Sequence, residues 1–395
     1  MARIESDQNE IRGHLEILVS LFEEAGGFIN DAVTIVGRDG GLSVHADPAL
    51  PQGDPLFSIP AQYLLPTAPF GLHLEGNDIC MNKPSAEVDP YHVKLMEQML
   101  AIYNLCGKME FHRANSPARL FIEAPDVCER IFLPNQLNAI GKYPKEDFYL
   151  HDFLHSRVFS APQQDESSDA LKSKGELLLP IIDFLNHHQS AAGFQVADGV
   201  MKISRFSPIA ESNECFVQYS RMDAQIAFAV YGFVDTEATS LLTCPLRVEV
   251  PGIRPINFWR QPGSKRKNKV PKILADLRPM VPPVGIVNDE RELKVGYLVI
   301  PRKDQPRAMR RIIRAIIAGL EKISDPDQQF EITLEIERQI ISGNIAHYEG
   351  ILSYVDSVDV SDDLQPILED AKRMARHQLS LLEAYKDRAA ALTVA

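Results

Sequence analysis

The sequence predicts an α+β protein, with short strands and a helical insert in its first part and a mainly α-helical region after it. Three observations predict this. Between residues 28 and 65, and again between 177 and 220, short apolar runs are punctuated by Gly, Pro and Asp, the texture of brief strands joined by turns. Residues 84 to 155 carry apolar side chains at helical spacing. Beyond residue 306, one segment shows a strong amphipathic stripe and two more long segments read as helices.

The elements follow in order. Residues 9 to 25 read as a helix, with Leu15, Leu18, Val19 and Phe22 on one stripe and Gly26-Gly27 as its stop. Residues 28 to 65 read as two or three short strands. In the insert, Leu95, Met99, Leu100 and Tyr103 recur at helical spacing, and Pro117 and Pro134 break the later pieces. The segment APQQDESSDALKSKGE, 161 to 176, is polar and reads as a loop. Three strand-like runs follow, LLLPIIDF, GVMKISRF and ECFVQYS, and then a short helical stretch, AQIAFAVYGF. A proline-rich passage from 245 to 306 holds the basic cluster RQPGSKRKNK at 260 to 269. In the helix RAMRRIIRAIIAGLEKI, the residues Met309, Ile312, Ile313, Ile316, Ile317 and Leu320 form the apolar face. Two more helices follow, roughly 328 to 354 and 364 to 392. There is no internal repeat. The change of texture puts a domain boundary near residue 244, dividing 1–244 from 245–395.

Composition narrows the classes. At 395 residues the chain is too long for one small core. Hydrophobic residues make up 45% and charged residues 24%, an ordinary globular balance. No apolar stretch reaches membrane-spanning length. The start, MARIESDQNEIRGHLEILV, lacks the basic segment and cleavage site of a secretory signal, so a cytoplasmic location is expected. Cys80, Cys106, Cys128, Cys215 and Cys244 are scattered and form no C-x-x-C; they read as buried thiols, not as a disulfide framework or a structural zinc site. A net charge of −13 disfavours nucleic acid and suits a basic partner, such as a lysine-bearing protein segment.

Residues 180 to 194, PIIDFLNHHQSAAGF, end an apolar run in Asp183, Asn186, His187 and His188. Alone, this reads as a buried strand, 177 to 184, closing in a polar turn. Upstream stands His155-Ser156-Arg157-Val158-Phe159. Downstream stand Glu214 to Tyr219 and then Tyr231-Gly232-Phe233, which closes a helix. Far upstream, Asp39-Gly40-Gly41-Leu42 is a glycine turn leading into a strand. Each is ordinary by itself.

In this order the set resembles a SET-domain lysine methyltransferase of the Rubisco large-subunit methyltransferase branch. That family runs G-x-G-L, a helical insert, S-R, P-x-x-D-x-x-N-H, G-E-x-V-x-x-x-Y, and a helix ending in Y-G-F. This chain offers Gly41-Leu42, Ser156-Arg157, Pro180-x-x-Asp183-x-x-Asn186-His187, Glu214 to Tyr219, and Tyr231-Gly232-Phe233. The resemblance covers about residues 30 to 235.

It implies a fold of small curved sheets with the Asn-His segment in a knot-like crossing, a helical insert at about 84–155, and a helical substrate-binding domain over 245–395. It implies S-adenosylmethionine as methyl donor, a protein substrate with an accessible lysine, and no metal. Gly40, Gly41 and Leu42 would meet the donor through their backbone, and Ser156 and Asp183 would lie in the same cofactor site. By the same resemblance Arg157 would pair the donor's carboxylate, Asn186 would accept from its ammonium, and the His187 backbone would bind the adenine edge. Tyr231 matches the catalytic tyrosine, and Tyr219 would line the same channel.

The chain departs from the family at Asp39, which replaces the first glycine, and at Asn213, which replaces the glycine of G-E. It departs again at Arg221-Met222-Asp223, one residue out of register with Ser-Asn, and at His188, where a small residue is common. Two rival readings stand beside it. One is a metal enzyme built on His151, Asp152, His155, Asp183, His187 and His188. The other is a non-catalytic SET-like binder, motivated by Asp39. The cluster containing Lys265, Arg266 and Lys267 reads as a solvated loop or as a dock for an acidic partner.

Overall fold

The structure is a computed structural model that describes residues 2–145, 147–160, 175–208, 213–220, 222–238, 240–259, 274, 276–277, 280–282, 284–287, 292–301, 306–321 and 323–394. Most of the expected loop, 161–174, and the basic cluster lie outside the described residues. The expected mixture of helix and strand is present. The chain divides into two compact units, Met1–Asn115 with Tyr143–Arg221, and Ser116–Lys142 with Met222–Ala395.

In the first unit the helix Asn9–Glu24 forms as its spacing predicts. Ile11, Leu15, Leu18, Val19 and Phe22 are all buried. It ends at the glycine pair because Gly26 takes φ +78° and the Gly27 N–H donates back to the Phe22 carbonyl at 3.0 Å. Its neighbour is a three-stranded sheet, with Val33–Arg38 parallel to Arg3–Ser6 and antiparallel to Gly41–Ala46. The Arg3–Ser6 strand escapes sequence reading because RIES has almost no apolar signal. A second sheet runs Gln195–Ala197, Val200–Ser204, Pro55–Pro60, Phe28–Ile29, antiparallel throughout.

The expected strand at 177 to 184 is replaced by something shorter and more angular. Only Glu176–Leu178 is strand, paired with Leu65–Pro66 and Phe159–Ser160. Ile181 then takes φ +62°, and the Ile182 N–H donates to the Pro180 carbonyl at 2.6 Å. That is a γ-turn of the positive-φ kind, which is rare. One helical turn, Ile182–Phe184, follows, and Asn186–His187 pairs in parallel with Phe216–Val217. The insert supplies the helices Pro90–Leu105, Lys108–Asn115 and Phe148–His155 to this unit.

In the second unit, Arg119–Glu123, Pro125–Ile131 and Pro134–Ile140 are short helices, two of them opened by a proline at the first position. The proline-rich passage is not featureless. Leu246–Val248, Ile256–Phe258, Glu292–Val295 and Val284–Val287 make a four-stranded sheet in that order. Beyond it run three helices, Pro306–Leu320, Pro326–Val355 and Gln365–Val394. Met309, Ile312, Ile313 and Ile317 of the predicted face are buried, as are Ile336, Ile340, Tyr348, Leu368, Met374 and Leu382 from the other two. Each such aliphatic side chain contributes roughly 1.5–3 kcal/mol on burial. At the bundle's centre Glu337 accepts from Arg310 Nε at 2.8 Å and from the Tyr385 hydroxyl at 2.6 Å.

Candidate functional site

The γ-turn explains how the first unit aims Asp183. A β-branched residue at positive φ costs about 1–3 kcal/mol, and Ile181 holds it because its side chain is fully buried. Past that corner the Asp183 carboxylate turns inward. Its Oδ2 accepts from the Tyr103 hydroxyl at 2.6 Å and from Arg157 Nη1 at 2.9 Å.

Arg157 arrives from the end of the helix Phe148–His155. Ser156 terminates that helix by donating Oγ to the Phe153 carbonyl at 2.7 Å. The Arg157 guanidinium then lies over the rings of Phe153, 4.6 Å from the centroid, and Tyr103, 5.5 Å, where the ring faces attract a cation. Its side chain is 26% exposed, yet its Nε is buried and has no hydrogen-bond partner among the described residues.

The charges are shaped by this enclosure. Burial pushes the Asp183 carboxyl above its ordinary value, and the Arg157 cation pulls only part of the way back. Burial raises the Tyr103 phenol strongly, with the Asp183 charge adding to it. Burial works against the Arg157 cation, but Asp183 more than offsets it and the guanidinium pKa rises. Nearby, burial and then the Arg157 charge hold the Lys108 ammonium below its usual value.

The Asn-His pair is stitched to the ECFVQYS run. Asn186 Nδ2 donates to Glu214 Oε1 at 2.7 Å, which uses the amide's donor end and leaves Oδ1. His187 Nδ1 accepts from the Tyr219 N–H at 3.0 Å, and the two rings lie 5.2 Å apart. The Tyr219 hydroxyl donates to the Leu185 carbonyl at 2.7 Å. The His187 imidazole therefore orients backbone.

The glycine turn has its own logic. Arg38 and Gly41 pair across the hairpin, and the two residues between them, Asp39 and Gly40, take φ +51° and +70°. That is the two-residue turn with both φ positive, for which Asp-Gly is a favoured sequence. Asp39 in place of glycine is thus accommodated. A Cβ on Gly40 would lie 3.0 Å from the Cys106 carbonyl oxygen, so this glycine answers to a chain contact. Leu42 is buried in the core, leaving its backbone as the part that can meet a ligand.

Tyr231 belongs to the second unit. Ala224–Ile226 continues into a π-helical turn, Ala227–Tyr231, closed by Gly232 at φ +74°; such turns concentrate at functional sites. Asp223, fully buried, caps it. One carboxylate oxygen accepts from the Ile226 N–H and the other from the Leu242 N–H, each at 2.9 Å. The Tyr231 ring lies 6.1 Å from that of Phe233.

The histidines of the metal reading are otherwise engaged. His151 stacks on Tyr143 at 5.8 Å, Asp152 pairs with His112 at 2.7 Å, and His188 packs against Phe206 and Phe216. Among the described residues no three His, Cys, Asp or Glu are grouped to hold a metal. Sequence reasoning missed Tyr103 and Lys108 as site residues and gave Glu214 no role. Tyr103 read as a core aromatic by its spacing; the only signal of more was a hydroxyl that burial obliges to find a partner.

No protein-family model and no curated protein matches this chain. Among solved structures it is similar to the SET domain of LSMT bound to lysine and AdoHcy, at TM-score 0.45 and 10% identity over 94% of this chain and 92% of the other. It is also similar to Rubisco LSMT bound to AdoMet, at TM-score 0.42 and 11% identity over 94% and 91%. Both are faint likenesses of chain path, and the chemistry of the site rests on the residues described above.

Proposed function

We propose that the chain is a SET-type methyltransferase that takes a methyl group from S-adenosylmethionine and places it on the lysine side-chain amine of a protein substrate. One observation carries the proposal. The Ser156-Arg157 and Pro180–His187 motifs meet at the 2.9 Å contact between Arg157 and Asp183, beside a buried guanidinium nitrogen that lacks a partner.

The residues fit the donor. Arg157 has a donor nitrogen left for a carboxylate, where a guanidinium binds directionally. Asn186 Oδ1 is left to accept from an ammonium, with the Glu214 carboxylate beside it. The backbone of Asn186–His187, held by Phe216–Val217, and that of Gly41-Leu42 present main-chain donors and acceptors. When bound, the donor supplies an electrophilic methyl on a positive sulfonium. The protein's part is alignment, which removes much of the entropic barrier, and a channel of low polarity, which favours lysine as the free amine. On the motif Tyr231-Gly232-Phe233 alone we assign Tyr231 to orienting that amine, and we assign Tyr219 to the channel. No metal is required. We assign catalysis to residues 1–244, with the insert at 84–155, and substrate binding to 245–395.

All five cysteines are free, which suits a reducing compartment, and we place the protein in the cytoplasm. Among the described residues no helix is long and apolar enough to cross a membrane. Asp39, the motive for a non-catalytic binder, sits in a turn that suits it.

Calorimetric titration of the full chain with S-adenosylmethionine tests the reading. Wild type should bind, and Asn186→Ala should bind about tenfold more weakly, a loss near 1.4 kcal/mol. No binding by the folded wild type overturns the proposal.

A further inference from the structure

Lys108 is placed against every ordinary preference of a lysine. It is half-buried. It shares its surroundings with a second cation, Arg157. It opens the helix Lys108–Asn115, the end at which the peptide dipoles repel positive charge. Its side chain makes no hydrogen bond or ion pair among the described residues.

The placement is built. Gly107 at φ +57° turns the chain sharply out of the preceding helix, and the Cys106 carbonyl rests over Gly40. The helix is then clamped by His112, which pairs with Asp152 at 2.7 Å and meets the Phe153 ring at 5.5 Å. Asp152 and Phe153 belong to the helix that delivers Arg157. The turn at Gly40, Lys108 and Arg157 are thereby brought into one neighbourhood.

The charged and titratable groups that act electrostatically on Lys108 are Arg157, Asp183 and the Cys106 thiol. Asp7 bears on that thiol, and Tyr103 on Asp183. Burial raises the Cys106 thiol, which keeps it neutral. Two cations against the single enclosed carboxylate of Asp183 leave one positive charge. That excess matches a singly charged anion such as a carboxylate. A carboxylate has lone pairs enough for both the Lys108 ammonium and the unpartnered Arg157 Nε.

We propose that Lys108 and Arg157 form a two-cation seat for the carboxylate of the methyl donor, with Asp183 holding Arg157 in place. This rests on the reading that the site binds S-adenosylmethionine. The seat also carries a pH signature. A lysine with a lowered pKa is charged below that value and neutral above it, so carboxylate binding weakens as pH rises, and at a lower pH than an ordinary lysine would give.

The test is calorimetry of the full chain with S-adenosylmethionine and with decarboxylated S-adenosylmethionine, across pH. Wild type, Lys108→Met and Lys108→Arg are compared after thermal melting shows that they fold. Lys108→Met should weaken binding of the intact donor about tenfold or more, as expected for a lost charge-assisted contact, and leave the decarboxylated compound almost unchanged. It should also abolish the fall in affinity at high pH, and Lys108→Arg should restore most of the affinity. If Lys108→Met weakens both compounds alike, or neither, the seat is wrong while the cofactor site stands. If wild type binds neither compound, the cofactor reading itself fails and the seat goes with it.

Discussion

Asp183 is the residue on which the first unit's polar cluster turns, since Tyr103 and Arg157 both donate to its Oδ2. Asp183→Asn removes the charge and keeps the shape. Because the fold favours the neutral acid, which Asn resembles, the cost at neutral pH should stay well below the roughly 3–5 kcal/mol typical of a broken, fully buried pair, read by denaturant unfolding. The pH dependence has a definite sign. Burial raises the folded-state pKa of Asp183 above its unfolded value, so the native state holds the proton longer. Asp183 therefore contributes most to stability in acid, and that contribution is lost as pH rises through the raised value. The Asn variant should lack this component when melting is followed from acid to neutral pH. Arg157→Ala should weaken S-adenosylmethionine binding in a titration, as the loss of a charge-assisted contact worth about 1.5–3 kcal/mol. Tyr231→Phe should lower kcat by roughly ten- to a hundredfold with little change in donor binding, the pattern of an interaction made mainly in the transition state. Full activity in that variant would remove Tyr231 from the mechanism.

At the scale of elements, two fastenings decide local geometry. Asp223 caps the turn that carries Tyr231 and also ties it to the strand Ser240–Leu242. Asp223→Ala should cost about 2–4 kcal/mol, the sum of a lost cap and a buried N–H left unpaired, measured by chemical denaturation. Gly40→Ala meets both a positive φ and the Cys106 carbonyl, and should destabilise by about 1–3 kcal/mol. Elements differed in how far the sequence revealed them. The helix Asn9–Glu24 was legible because Leu15, Leu18, Val19 and Phe22 repeat with the helical period and two glycines follow. The strands Leu246–Val248 and Ile256–Phe258 were not, because three residues carry too little alternation to stand out among prolines. The run 177–184 misled because a continuous apolar stretch fits strand, turn and short helix alike. Nothing local marks Ile181 as the residue that takes positive φ.

For the whole molecule, burial was the most legible property. In the helix Pro306–Leu320, Met309, Ile312, Ile313 and Ile317 of the face read from sequence are buried and Ile316 is half-buried, because hydrophobic burial is non-directional and needs only the right residues on the right side. Polar centres inside the bundle were not legible. Glu337 looks like any surface glutamate in sequence, yet it is buried between Arg310 and Tyr385. Tyr385→Phe should cost about 1–2 kcal/mol by removing one hydrogen bond to a buried carboxylate that keeps its arginine. A double-mutant cycle with Arg310→Met would measure the coupling.

By itself the sequence determined the apolar faces of the helices Asn9–Glu24 and Pro306–Leu320 and the order of the motifs, which follow from local spacing; the site roles assigned to those motifs came from the resemblance that their order carries. Only the tertiary structure decided the pairings. Arg157 with Asp183, Asn186 with Glu214, and Lys108 beside a second cation are set by elements far apart along the chain. A polar group's partner and charge state depend on what packing leaves within reach and on how much water packing removes, and neither quantity is written in any single stretch of residues.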